Sequence, residues 1–366
     1  DARDPPRLTV PPARRRRCIV AACAIVTSVA AILGVTVVPA GADPARPTNF
    51  ESRVLSVAPP TDGMDVEIAG GDAFIVLSVM PGHQVTVPDY GVAGDGRPYL
   101  RFEPDGTVKV NERSAAAAAN ESRFGRSPVD FDPDAEPSWH TVATDGTFAW
   151  HDHRVHLMVP DHLAVVDDTG RVDLGGPDGT WEVPLVVDGV ETLVLGELIR
   201  LPSPTAWPWY VAAAAVFGAL TAWVTSRTMP RLAPAILLGS VALVASYVSA
   251  SELASAPDGS GASSVPLLTA LGALIGALLA LVGQLAGDRA ASATRAGTAL
   301  AAAALIWWAV TRTDVFANAI LPSGLATIDR AATSAAIGLG AAVAVLLVWR
   351  PVAVTGRGRT PDATAT

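Results

Sequence analysis

The sequence predicts an all-β extracytoplasmic sandwich of immunoglobulin-like kind, followed by an α-helical membrane bundle of five helices. Three observations carry that reading. Hydrophobic residues make up 50% of the 366 positions at a mean hydropathy of +0.37, and they are bunched rather than spread. Between Phe50 and Leu201 the apolar residues alternate in short runs, broken by Gly, Pro and Asp. Beyond Thr205 they gather into runs near the roughly 20 residues that cross a bilayer as helix.

The N-terminal stretch "RRRRCIVAACAIVTSVAAILGVTVVPAGA" has a basic front, an apolar centre and Ala40 and Ala42 at an A-x-A spacing. Residues 1–42 therefore read as a secretory signal peptide, or as a retained anchor if cleavage fails. Cys18 and Cys23, the only thiols, fall inside it, so a processed chain would hold no disulfide and no cysteine-ligated zinc.

Residues 43–205 form the expected β-domain. The segments "ESRVLSVAP", "GMDVEIAG", "AFIVLSVM", "HQVTVPD", "PYLRFEPDGTVKVN" and "WEVPLVVDGVETLVLGELIRL" read as strands and hairpins, with "PDG" and "VDG" as tight turns. This region carries 27 acidic against 11 basic residues, a balance that argues against nucleic acid.

Residues 206–350 supply apolar runs at about 207–225, 232–250, 265–286, 297–311 and 332–349, and 351–366 a tail. Arg227, Arg231, Arg289, Arg295, Arg350, Arg357 and Arg359 cluster on one side of these runs. The positive-inside rule makes that side, and the C-terminal tail, cytoplasmic, and puts the β-domain outside. The runs hold no His or Met, and no charge at their centres, which argues against haem, a proton relay or a metal-conducting pore. Gly272/Gly276, Gly283/Gly287 and Ser334/Gly338/Ala342 suit close helix packing. The bundle reads as an anchor in membrane lipid.

No Walker loop, G-x-S-x-G or dinucleotide fingerprint stands in a suitable context, so no enzyme is expected. "DFDPDAE" places Asp130, Asp132, Asp134 and Glu136 at alternate positions, but lacks the glycine and the terminal carboxylate of a calcium loop.

The chemistry concentrates in "WHTVATDGTFAWHDHRVHLM". Asp145-Gly146 is a strong hairpin signal. Pairing across it sets His140 opposite His151, with His153 on the same face and Trp139, Phe148, Trp150, His156 and Met158 on the other. His140, His151 and His153 then suit Cu(II) or Zn(II), with His156 and Met158 as a softer pair for Cu(I). A solvated imidazole face reads equally from the spacing. Should the strand bulge after His151, Asp152 becomes a supporting acceptor.

An exported sandwich ahead of a helix bundle, together with "HDHRVHLM", resembles the copper-resistance proteins that fuse a copper-binding β-sandwich to a membrane domain. The resemblance implies capture or presentation of copper. Transport does not follow, because the apolar runs lack metal ligands. The expected ligand is a copper or zinc ion. The competing expectation is a metal-free domain that binds a protein partner in the envelope.

Overall fold

The computed structural model describes residues 44–90, 97–120, 136–159, 163–226, 230–258 and 260–355. The expected signal peptide lies outside these residues, as do most of "DFDPDAE" and His162.

The described part of the β-region holds two antiparallel sheets. The strands are β1 (Phe50–Ala58), β2 (Met64–Ala69), β3 (Phe74–Val79), β4 (Val85–Pro88), β5 (Pro98–Phe102), β6 (Val108–Asn111), β7 (Trp139–Ala143), β8 (Thr147–Trp150), β9 (Arg171–Val172), β10 (Trp181–Val187) and β11 (Val190–Arg200). The larger sheet runs β1-β11-β10-β4-β5-β6-β7, with β9 added on β11, and the smaller runs β2-β3-β8. Alternation decides which face is buried. In β10, Trp181, Val183, Leu185 and Val187 point inward, as the buried–open pattern of that strand records. They meet Ile75, Leu77 and Val79 of β3 and Trp150 of β8 in one core. Asp188 and Gly189 join β10 to β11 as a two-residue loop with φ of 50° and 82°. That is the positive-φ pair a tight hairpin demands.

The hairpin expected across Asp145-Gly146 is corrected by the structure. Gly146 does make a turn, with φ of 77°. Its N–H, however, donates to Gly106 O at 2.8 Å, and its carbonyl accepts from Val79 N at 2.9 Å. With both groups of the turn engaged elsewhere, the flanking strands part. β7 pairs with β6 in the large sheet, and β8 pairs with β3 in the small one. The turn is a corner between sheets rather than the tip of a ribbon.

The helices follow. After the single turn α1 (Ala115–Ala119) in the β-region come α2 (Trp207–Thr225), α3 (Ala233–Ala254), α4 (Val265–Leu285), α5 (Ala291–Val310) and α6 (Ala326–Thr355). Five of these helices are long and apolar enough to cross a membrane. They start or end within a few residues of the apolar runs, except that α5 begins earlier and α6 extends at both ends. Small residues set their approach. A Cβ on Gly276 would stand 2.7 Å from Ala301 N, and one on Gly338 would stand 2.4 Å from Ala213 O. These contacts bring α4 against α5 and α2 against α6. Gly272 and Gly287 meet nothing, so only part of the small-residue spacing is used.

The two regions touch at one end of the bundle. Thr48 and Ile320 exchange backbone hydrogen bonds of 3.0 and 2.9 Å, and Asn49 bonds Ala317 O, Asn318 Oδ1 and Ala319 N. Ser255 bonds Pro322 O, so the α3–α4 and α5–α6 loops share that end. Arg231 and Arg289 lie in the loops at the opposite end, and Arg295 near the start of α5. The chain is thus a multi-pass membrane protein that carries a β-domain on one end of its bundle.

Candidate metal centre

β8 ends at Trp150, opposite Ile75 of β3. The next residue pair breaks the strand, and the cause is Asp152. Its fully buried carboxylate (0% exposed) accepts from the Arg154 backbone N–H at 3.0 Å, an Asp turn that folds the chain back on itself. The same carboxylate accepts from Trp150 Nε1 at 2.9 Å, Tyr90 Oη at 2.9 Å, Arg154 Nε at 2.8 Å and an Arg154 terminal nitrogen at 2.6 Å. Tyr90 Oη in turn accepts from His153 N at 2.9 Å. Burial alone would push this carboxyl up, but the Arg154 guanidinium and the Trp150 N–H hold it well below the ordinary carboxylate range. Burial and the Asp152 charge push the Tyr90 phenol above its usual value, so it stays a neutral donor.

The fold-back gathers His151, His153 and His156, each offering a ring nitrogen, with those atoms all within 4.8 Å of one another. The ring centroids are 4.6 Å apart for His151–His156, 5.4 Å for His153–His156 and 5.8 Å for His151–His153. His151 and His156 are each 1% exposed, and His153 is half-buried, stacked on Tyr90. His156 Nδ1 lies 3.2 Å from Leu157 O, and a carbonyl can only accept. The proton therefore sits on Nδ1, which leaves Nε2 as the ligand atom. His153 and His156 face a recess of about 500 Å³ that Met158, Asp173 and Trp181 also line.

The arrangement suits a metal ion in charge and chemistry. Three imidazole nitrogens are ligands that both Cu(II) and Zn(II) accept, and the buried Asp152–Arg154 pair beside them is balanced. A tetrahedral ion with nitrogens at about 2.1 Å needs them about 3.4 Å apart. The present spread, up to 4.8 Å, is wider than that, so the rings would have to draw inward to hold an ion. The recess leaves one side of such an ion open.

The structure redistributes the residues that spacing pointed to. His151 and His153 come together as expected. His156, expected on the opposite face, joins them, because the strand ends at Trp150 rather than running to Met158. His140 does not join. It is exposed on β7, beside Val110 of β6, and belongs to the other sheet. Met158 stands at the rim of the recess, 41% exposed, rather than in the core. Tyr90 and Arg154 were invisible from spacing. The Asp-x-Arg step after a tryptophan was the one local signal, and the possible bulge after His151 pointed the right way.

No protein-family model, curated protein or solved structure matches this chain.

Proposed function

We propose that this protein is a membrane-anchored metal-binding protein whose β-domain holds a transition-metal ion, copper foremost, through His151, His153 and His156. The observation that supports it is the convergence of three imidazoles, two of them almost fully buried, from a segment of six residues. All-nitrogen ligands accept both Cu(II) and Zn(II), and at equal geometry Cu(II) binds more tightly. Met158 at the rim offers a thioether should the ion be reduced to Cu(I). The basic loops at the far end of the bundle favour an extracytoplasmic β-domain, where it would capture or present the ion rather than move it.

One observation favours a second reading, a metal-free domain that binds an envelope partner. The Asp152, Arg154, Tyr90 and Trp150 network already satisfies the fold-back by itself.

Calorimetric titration of the detergent-solubilised full-length protein with Cu(II) and Zn(II) separates the two. One ion per chain is expected, with binding lost in His151→Ala/His156→Ala and kept in His140→Ala. Equal binding by wild type and the double variant would overturn the metal reading.

A further inference from the structure

A turn at the end of the β-domain away from the bundle carries two ligand atoms outside the histidine cluster. Met80-Pro81-Gly82-His83 follows β3 directly, and His83 N donates to Met80 O at 3.2 Å. Proline at the second position and Gly82 at the third, with a φ of 95°, are what a tight turn of this kind demands. A β-turn keeps its first and fourth Cα atoms within about 7 Å, so the Met80 and His83 side chains start close together. Both residues also stand against Gly63. Met80 N donates to Gly63 O at 2.9 Å, and a Cβ on Gly63 would lie 2.6 Å from His83 Nδ1.

The imidazole is held in one orientation. Its Nδ1 lies 2.7 Å from Asp188 Oδ2, and a carboxylate only accepts, so Nδ1 carries the proton. The other Asp188 oxygen accepts from Gln84 N at 2.8 Å, and Asp188 N donates to Gln84 O at 2.9 Å. Asn or Gly would serve the β10–β11 turn as well, but only Asp supplies a carboxylate. An exposed pair of this kind adds little to stability. What it fixes is the tautomer, as a carboxylate does for metal-ligating histidines. The neutral ring keeps its lone pair on Nε2, which bonds no other group among the described residues.

Met80 supplies the second atom. Its side chain is 57% exposed, whereas Met64, next to Gly63, is buried in the core. A thioether beside an oriented imidazole is a soft donor pair. Ca(II) and Mg(II) take oxygen ligands, and Zn(II) takes thiolate, imidazole or carboxylate. Thioether together with imidazole suits Cu(I).

We propose that Met80 Sδ and His83 Nε2 bind one soft monovalent ion, Cu(I), with Asp188 positioning the imidazole. The site shares no residue with the histidine cluster and stands whether or not that cluster holds an ion. Met80 follows the end of β3 opposite the one where Ile75 meets Trp150, which by strand rise sets the two centres on the order of 15 Å apart.

The test is nuclear magnetic resonance of the full-length protein in detergent, labelled with ¹³C at the methionine methyls, of which the chain has four. The protein is titrated with Ag(I), a redox-inert stand-in for Cu(I). The Met80 methyl should shift and saturate at one equivalent, in wild type and equally in His151→Ala/His156→Ala. In His83→Ala the Met80 response should weaken about tenfold or more. In Asp188→Asn, which keeps the turn, it should weaken about tenfold, the cost of losing a carboxylate that orients a ligand. The buried Met64 methyl should keep its position in every variant, reporting an intact core. A Met80 methyl that does not move, or one that responds equally in wild type and His83→Ala, would overturn the proposal.

Discussion

Two regions of this molecule bury charged and polar side chains, and they do so in opposite ways. The histidine cluster is built from neighbours: His151, Asp152, His153, Arg154 and His156 all fall within one fold-back, with Tyr90 as the distant member. The Arg312 cluster is built from strangers, since Glu252 and Asp329 come from α3 and α6 and Arg312 from the turn after α5. A local cluster persists as long as its turn does. A non-local one persists only while the helices stay packed, so it reports on the bundle rather than on any one segment.

That contrast can be broken or sharpened by substitution. The largest effect is expected from Asp152→Ala. It removes the acceptor shared by Trp150, Tyr90 and Arg154, and leaves a guanidinium that is mostly buried. We predict a loss of about 3 kcal/mol or more in stability of the β-domain, together with loss of metal binding. Denaturant unfolding followed by β-domain tryptophan fluorescence reads the first, and titration calorimetry the second. A near-neutral result would mean the histidines do not depend on this carboxylate.

Arg312→Met should cost a comparable amount, about 3 kcal/mol, because Asp329 is left charged and buried. Its signature differs: thermal unfolding of the whole protein falls while metal affinity is unchanged. Adding Asp329→Asn should recover part of the loss, as the buried charge then goes. If Arg312→Met lowered metal affinity instead, the two clusters would not be independent.

His156→Ala removes a ligand itself and should weaken metal binding by about 100-fold or more, since residues that only support metal ligands already cost up to about that much. His140→Ala should change neither affinity nor stability beyond about 0.5 kcal/mol, as for an ordinary surface site. A drop in affinity for His140→Ala would reinstate the hairpin that the structure replaces.

Acid should separate metal from fold. Imidazoles must be neutral to bind, so acid should displace the ion. The Asp152 carboxyl lies below its ordinary range when folded. Its contribution is therefore fully present above the unfolded value, near pH 4, and is lost only as pH falls towards the lower folded value. At pH 5 the metal should be gone while the far-ultraviolet circular dichroism is intact. Simultaneous loss of both would mean that the ion, not the carboxylate, holds the fold-back.

Much of this was legible in the sequence, and the rest was missing for a physical reason. Alternation located the β10–β11 hairpin, because Asp188-Gly189 needs only its own backbone to turn. Apolar runs located the five helices, since length and hydropathy are local properties. The reading of Asp145-Gly146 failed because its backbone groups are engaged by Gly106 and Val79, both distant in sequence. A turn signal specifies a bend but not which sheet receives the strands. That error placed His140 in the cluster and His156 outside it. The Arg312 cluster was passed over altogether, as its three members lie at the ends of separate runs and nothing in spacing joins them.

The central claim is that His151, His153 and His156 act as one set of ligands. Its most direct test is electron paramagnetic resonance of the Cu(II)-loaded full-length protein. The nitrogens bound to copper are counted in wild type and in the three single alanine variants. The account predicts three imidazole nitrogens in wild type, falling to two in each variant. A spectrum identical in all four proteins would contradict it.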